Sequence, residues 1–140
     1  MTSPVRRRGR ERALQALFSL EAVAPSDLPT GLARFWDSIE EEADGFVRAF
    51  AEEIVRGVVT DREAIDDAIQ AQSANWRLDR MARIDRNVLR IGTWELLRTD
   101  VPGKVAINEA IEIAKAFGGE GSPAFVNGIL DRVAKVAGRI

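Results

Sequence analysis

Apolar residues recur along this chain at three- and four-residue spacing almost from end to end, the period of helices that bury one face. Ala13, Leu14, Leu17 and Phe18 give the stripe of a first helix from about Val5 to Ala22, broken by the segment Pro25 to Pro29. A second helix carries Leu32, Phe35, Trp36 and Ile39 and fades into the acidic run Glu40, Glu41, Glu42. A third carries Phe46, Val47, Phe50, Ile54, Val55 and Val58, with Gly57 near its end. Thr60 and Glu63 have the spacing of a capping box, which predicts the start of a fourth helix with Ile65, Ala68 and Ile69 inward. The fifth is long, from about Asp79 to Thr99, with Met81, Ile84, Val88, Ile91 and Leu96 inward. After the turn Asp100-Val101-Pro102-Gly103, a sixth buries Ala106, Ile107, Ala110, Ile111, Ala114 and Phe117, and Gly118-Gly119 cap it. Ser122 as N-cap and Pro123 in the first helical position open a seventh, with Phe125, Val126, Ile129, Leu130 and Val133. No alternating strand pattern, repeat or dividing linker appears. The pattern predicts an all-α fold of about seven helices, one unit over residues 1–140.

Composition narrows the chemistry. At 140 residues the chain is long enough to bury a core. It has no cysteine, so no disulfide framework, thiolate nucleophile or usual zinc site is available. It has no histidine, which removes the commonest general base and metal ligand and the Glu-x-x-His pairs of a di-iron bundle. No stretch approaches the roughly 20 apolar residues of a membrane span. Arginines followed by an apolar run imitate a signal peptide, but Gln15 and Glu21 interrupt that run and its spacing is amphipathic. The expected location is the cytoplasm.

Charge changes the picture most. Arg6, Arg7, Arg8, Arg10 and Arg12 stand against one Glu in the first twelve residues, leaving +4 there. The whole chain carries −2, so the remainder carries −6. Basic charge gathered at one end is a footprint for a polyanion, because each guanidinium can grip a phosphate oxygen and release a counterion. A solvated helix start is the bland alternative, yet arginine at a helix N-terminus opposes the macrodipole, a local cost that favours a functional reading.

Other candidates read more plainly. Glu40 to Glu42 and Asp66-Asp67 sit in polar stretches and look like solvated faces, not a catalytic pair with split pKa values. Gly118-Gly119-Glu120-Gly121-Ser122 follows a helix and lacks the Lys-Ser/Thr ending of a P-loop, so a helix-to-helix turn is the better reading, with a polynucleotide phosphate as the alternative. Asn108, Glu109 and Asn127 read as hydrogen-bonding cross-links between the last two helices. Phe18 and Phe125 could stack on bases, although a phenylalanine in a helical stripe is ordinarily core. Trp36, Trp76 and Trp94 read as core.

Two stretches then fit one family. Arg6-Arg7-Arg8-Gly9-Arg10-Glu11-Arg12-Ala13-Leu14-Gln15-Ala16-Leu17-Phe18-Ser19 resembles the opening of the NusB transcription antitermination factors. The run from Asp100 to Asp131 looks like that family's longest signature, and Asp85 to Arg90 and Trp94 to Leu97 are similar too. The resemblance implies a pair of three-helix bundles. It also implies a non-enzymatic RNA-binding adaptor that pairs with NusE, a small-subunit ribosomal protein. Together they bind boxA RNA in nascent ribosomal transcripts and load an antitermination complex on RNA polymerase. By matching motif it places Arg6, Arg7, Arg8, Arg10, Gln15, Arg90, Lys104 and Phe125 on the RNA face, and Phe18 and Asp85 on the NusE face. Arginine would supply phosphate forks, and Phe125 a stacking platform. Phe18 stands where tyrosine is frequent, which gives up a hydroxyl and keeps the apolar contact. Gly121 stands where an acidic residue can occur near the RNA, so a like-charge repulsion is absent. Some members of the family self-associate through the arginine face, so a homodimer is a further expectation. No cofactor or metal is implied.

Two alternatives stand beside this. Similar domains occur fused to RNA cytosine methyltransferases, but such an enzyme needs an α/β cofactor domain and commonly a cysteine, and neither is in the sequence. A helical protein-interaction module without an RNA role would leave binding untouched when Arg6, Arg7 and Arg8 become alanine.

Overall fold

Ser3 starts the first helix: its hydroxyl accepts from the Arg6 N–H at 3.2 Å, and Pro4 follows in the first helical position, where no N–H is needed. In the computed structural model, which describes residues 3–40 and 44–140, seven α-helices follow in order. They are α1 (Pro4–Ser19), α2 (Leu28–Ser38), α3 (Gly45–Thr60), α4 (Arg62–Ala71), α5 (Arg83–Arg98), α6 (Gly103–Phe117) and α7 (Ser122–Val136). Short 3₁₀ turns at Pro25–Asp27 and Leu78–Arg80 lead into α2 and α5. No strand occurs among the described residues, so the all-α expectation holds. Glu41 and Glu42 of the acidic run lie outside the described residues.

α1, α2 and α3 form one three-helix group and α5, α6 and α7 another. α1 packs against α5 to join them, and α4 lies on α5 and α7. One continuous apolar cluster runs through both groups, with Leu14, Ile54, Ile65, Leu89, Ile91, Leu96, Ile113 and Leu130 fully buried. Each such side chain stabilises the fold by about 1.5–3 kcal/mol relative to exposure. No helix among the described residues is long and apolar enough to cross a membrane.

Several sequence expectations are corrected. The Thr60–Glu63 capping box does not form, because α3 continues through Thr60 and only Asp61 separates it from α4. Asp44 is the side-chain cap of α3, accepting from Phe46 N at 2.8 Å and Val47 N at 3.4 Å. Gly118 ends α6 in an extended conformation, not a left-handed one. Ser122 lies inside α7 after Gly121, and its hydroxyl accepts from Gly119 N–H at 2.9 Å; the glycine segment is a helix-to-helix turn. Met81 is buried but precedes α5. In α6, Ile113 is buried where Ile111 is half-buried and Phe117 is exposed, because the helix also turns a face towards α1. Phe46 and Trp76, expected inside, are 79% and 58% exposed.

Candidate nucleic-acid interface

The arginine cluster of α1 divides into inward and outward members. A helix turns about 100° per residue, so Arg6 and Arg10 share a face, but Arg6, one turn nearer the start of α1, is exposed like Arg7 and Arg8, and only Arg10 is enclosed. Arg10 is 1% exposed. Its Nε donates to Glu95 Oε1 at 2.7 Å and its Nη2 to Glu95 Oε2 at 2.8 Å, a bidentate pair tying α1 to α5. Glu109 Oε1 of α6 stands 3.7 Å from Arg10 Nη1. Arg6 and Arg10 also lie 5.6 and 5.4 Å from the centroid of the Phe50 ring. Gly9 lets that ring approach, since a Cβ there would fall 2.6 Å from Phe50 Cδ2. Arg10, expected on the RNA face, is therefore a strut between three helices.

The outward arginines are anchored but open. Arg7 donates to Glu109 from Nε (3.1 Å) and Nη2 (2.8 Å), yet half of its side chain stays in solvent. The hydrogen bonds and charge of Glu109 raise the Arg7 pKa above its ordinary value, so it carries its charge at any working pH. Arg8 is exposed, with Glu11 Oε1 at 3.5 Å. Lys104, near the start of α6, is exposed and enters no ion pair among the described residues. Gln15 is half-buried and accepts from Arg12 Nη1 at 2.9 Å.

Arg90 is also internal, at 4% exposure. It donates from Nε to Asp66 Oδ1 (2.8 Å), from Nη2 to Asp66 Oδ2 (3.1 Å) and from Nη1 to Asn87 Oδ1 (3.2 Å). Burial lowers its pKa from the usual arginine value against the pull of Asp66. Asp66, expected to be merely solvated, instead fastens α4 to α5. Beside it, Glu21 accepts from Arg83, from Arg86 Nη2 at 3.1 Å and from Asn87 Nδ2 at 3.1 Å. Burial raises the Glu21 pKa, but hydrogen bonds from Arg86, Arg83 and Asn87 outweigh it and hold the carboxyl below the usual range.

Phe18 and Asp85, the two residues expected on a protein partner's face, lie at the same end of the α1–α5 pair, where Phe18 meets Arg83. Phe18 at the end of α1 is 37% exposed, with the Arg83 guanidinium carbon 3.9 Å from its ring centroid. Arg83 Nη2 also donates to Phe18 O at 3.0 Å. Asp85 lies in the first turn of α5, and its Oδ1 is buried without a hydrogen-bond partner among the described residues. Because Arg10 meets Glu95 and Phe18 meets Arg83, α1 and α5 run antiparallel. The Phe18–Asp85 surface is thus at the opposite end of α1 from Arg6, Arg7 and Arg8.

Phe125, in the first turns of α7, is half-buried and meets the exposed ring of Trp76 edge-on, centroids 6.4 Å apart at 90°. Lys104 and Phe125 sit at opposite ends of the α6–α7 hairpin, separated by roughly the 20 Å length of α6. The expected RNA residues thus form two separated surface sites, with Arg10 and Arg90 beneath the surface. Of the expected cross-links, Glu109 reaches α1 instead of α7, while Asn108 and Asn127 are exposed and bond neither helix to the other. Among the described residues no group of acidic side chains could hold a metal ion.

The model of the NusB family matches residues 7–135. The transcription antitermination protein NusB of Anaeromyxobacter dehalogenans (strain 2CP-1) is 58% identical over 129 residues, spanning 92% of this chain and 89% of its own. The solved structure of NusB from T. maritima is 43% identical, covers 96% of this chain and 93% of its own, and superposes with a TM-score of 0.81. A crystal structure of antitermination factors NusB and NusE in complex with dsRNA shares the fold, with a TM-score of 0.78 at 24% identity over 96% of this chain and 99% of its own. The two three-helix groups and the arginine-led first helix are accordingly those of a shared ancestry: the chain belongs to the NusB family.

Proposed function

We propose that this protein is an RNA-binding adaptor of transcription antitermination, acting in the cytoplasm over the whole of residues 1–140. It is a transcription antitermination protein and not an enzyme. It pairs with NusE, grips boxA-type single-stranded RNA of nascent ribosomal transcripts, and joins the antitermination complex on RNA polymerase. The observation that carries the RNA assignment is the set of outward cations, Arg6, Arg7, Arg8 and Lys104, on an otherwise acidic chain. Arg7 supports it best: a guanidinium fixed by Glu109 and still half in solvent can meet a phosphate with little further ordering. Phe125 supplies a stacking surface at the far end of α6, and Gln15 a polar contact along α1. Arg10 and Arg90 act from beneath, by holding α1, α4 and α5 in register. Phe18, exposed at the end of α1, and Asp85, in the first turn of α5, mark the NusE face.

The test is fluorescence anisotropy of a labelled boxA-type RNA with this protein, with NusE, and with both. The expected result is tighter binding by the pair than by either alone, lost in a scrambled RNA. Sequence-blind binding, or none, would leave a helical interaction module whose arginines serve another partner. Self-association through the arginine face would show in the same assay as competition between dimer and RNA.

A further inference from the structure

Trp76 is the largest exposed aromatic among the described residues, and its surroundings hold it still. Gln70 Nε2 donates to Trp76 O at 2.9 Å, while Gln70 Oε1 accepts from Leu78 N at 2.8 Å. Two residues after Gln70, the Gln72 carbonyl accepts from Arg132 Nε (3.1 Å) and Nη2 (2.9 Å), which ties the same loop to α7. Four hydrogen bonds, from Gln70 in α4 and Arg132 in α7 to the backbone of residues 72–78, fix the loop that carries the exposed indole. With Phe125 beside it, Trp76 is part of a contiguous aromatic patch and not an isolated exposed side chain.

Its ring stands at 90° to Phe125 in edge-to-face contact, and the corner they make borders a cleft of about 250 Å³ that is also lined by Gly128, Ile129 and Arg132. That is smaller than the roughly 300–1,000 Å³ of sites for drug-sized ligands, and it suits one flat heterocycle better than a stretch of peptide. Gly128 leaves its side of the cleft open: a Cβ there would meet only Arg132 Nη1, at 3.8 Å. Nη1 makes no hydrogen bond among the described residues, since Nε and Nη2 serve the loop. An aromatic corner with an exposed indole, open space over Gly128 and a cation at the rim match an unstacked base with its phosphate outside.

We infer that the Trp76–Phe125 cleft, with Arg132 at its edge, takes a single unpaired base of the bound RNA, Trp76 forming one wall and Arg132 meeting the adjoining phosphate. This rests on the RNA-binding reading and assigns it a second aromatic and a cation that the arginine end does not supply.

The experiment uses the full chain with NusE and a labelled single-stranded boxA-type RNA, alongside strands bearing one abasic nucleotide at each position in turn. In the wild type, one abasic position weakens binding roughly 5- to 150-fold, the range of base–aromatic stacking. Trp76→Ala weakens the intact RNA by a similar factor and is indifferent to that same abasic position, and Trp76→Phe restores part of the affinity. Gly128→Met, in the middle of α7 with room for its Cβ, plugs the cleft without removing either aromatic and reproduces the loss, whatever Trp76→Ala does to folding. If wild type binds RNA but Trp76→Ala and Gly128→Met bind as tightly with an unchanged abasic pattern, the cleft is not a base site, and a protein partner there becomes the explanation for Trp76. If wild type binds no RNA, the adaptor reading fails and takes this inference with it.

Discussion

Replacing Arg10 separates the structural from the RNA-contacting role of the arginine cluster. In Arg10→Met the buried Glu95 carboxylate, 2% exposed, loses both hydrogen bonds to its partner at 2.7 and 2.8 Å. Glu109 keeps Arg7, so the orphaned charge is Glu95. Breaking a buried pair from one side costs about 3–5 kcal/mol, because the remaining charge stays desolvated. Against a total stability of about 5–15 kcal/mol this is severe. With a urea m-value of about 2 kcal/mol/M, the midpoint should fall by roughly 1.5–2.5 M.

Equilibrium unfolding in urea, followed by far-UV circular dichroism, measures this directly. The double variant Arg10→Met/Glu95→Leu removes both charges and should recover most of the lost stability, since apolar replacements of a buried pair are often neutral or better. RNA affinity of the folded double variant should stay close to wild type, because Arg10 has no surface to offer. A double variant as stable as wild type that lost about tenfold in RNA affinity, the scale of one charged contact, would refute the assignment of Arg10 to the interior.

Four outward cations, Arg6, Arg7, Arg8 and Lys104, predict a slope of log K against log salt near −2.8, and roughly 50-fold weaker RNA binding at 200 than at 50 mM salt; a slope near −4.2 would mean that Arg10 and Arg90 also reach phosphates. Glu21 has a depressed pKa, so its contribution is fully present above the unfolded value of about 4.3 and is lost as pH falls through the folded value; the stability gap between wild type and Glu21→Gln should therefore shrink below about pH 4 in urea titrations. Gly57→Ala puts a Cβ 2.2 Å from Trp94 Nε1 and should destabilise by about 1–3 kcal/mol despite alanine's better helix propensity, read as a lower thermal midpoint. Gly121→Asp meets nothing within 4 Å, so folding should be unchanged, while the added charge near the RNA weakens binding in the anisotropy assay.

Helical periodicity made the number, order and most buried faces of the helices legible, because each buries one stripe. Boundaries were harder to read. Thr60 and Glu63 have the spacing of a cap, but Val55, Val58 and Val59 carry α3 onward, and tertiary burial outweighs a local hydrogen bond. The arginines misled for a related reason. Charge alone puts all five outside, whereas Arg10, Leu14 and Leu17 fall at i, i+4 and i+7, the buried stripe of α1. The acid amid the apolar run of α5, Glu95, was the complementary signal, since a buried carboxylate implies a buried cation. Trp76 carried no such signal: it lies between helices, where no period assigns a face, and the loop that Gln70 and Arg132 hold leaves its ring 58% exposed.

The interior pairs also bear on binding. A free arginine side chain has about 2 kcal/mol of rotamer entropy to lose when it grips a phosphate. On α1 that loss is partly taken during folding: Arg7 is held by Glu109, which also faces Arg10, which is locked to Glu95. The position of the exposed guanidinium is set by its own two hydrogen bonds to Glu109, which survive when the Arg10–Glu95 pair is replaced. Glu109→Gln should therefore weaken RNA binding without removing any cation, and the loss should persist at low salt, where screening is least. A purely electrostatic arginine cluster would behave in the opposite way: it would gain affinity when a neighbouring carboxylate is neutralised. The direction of that one change decides whether this surface works by charge or by geometry.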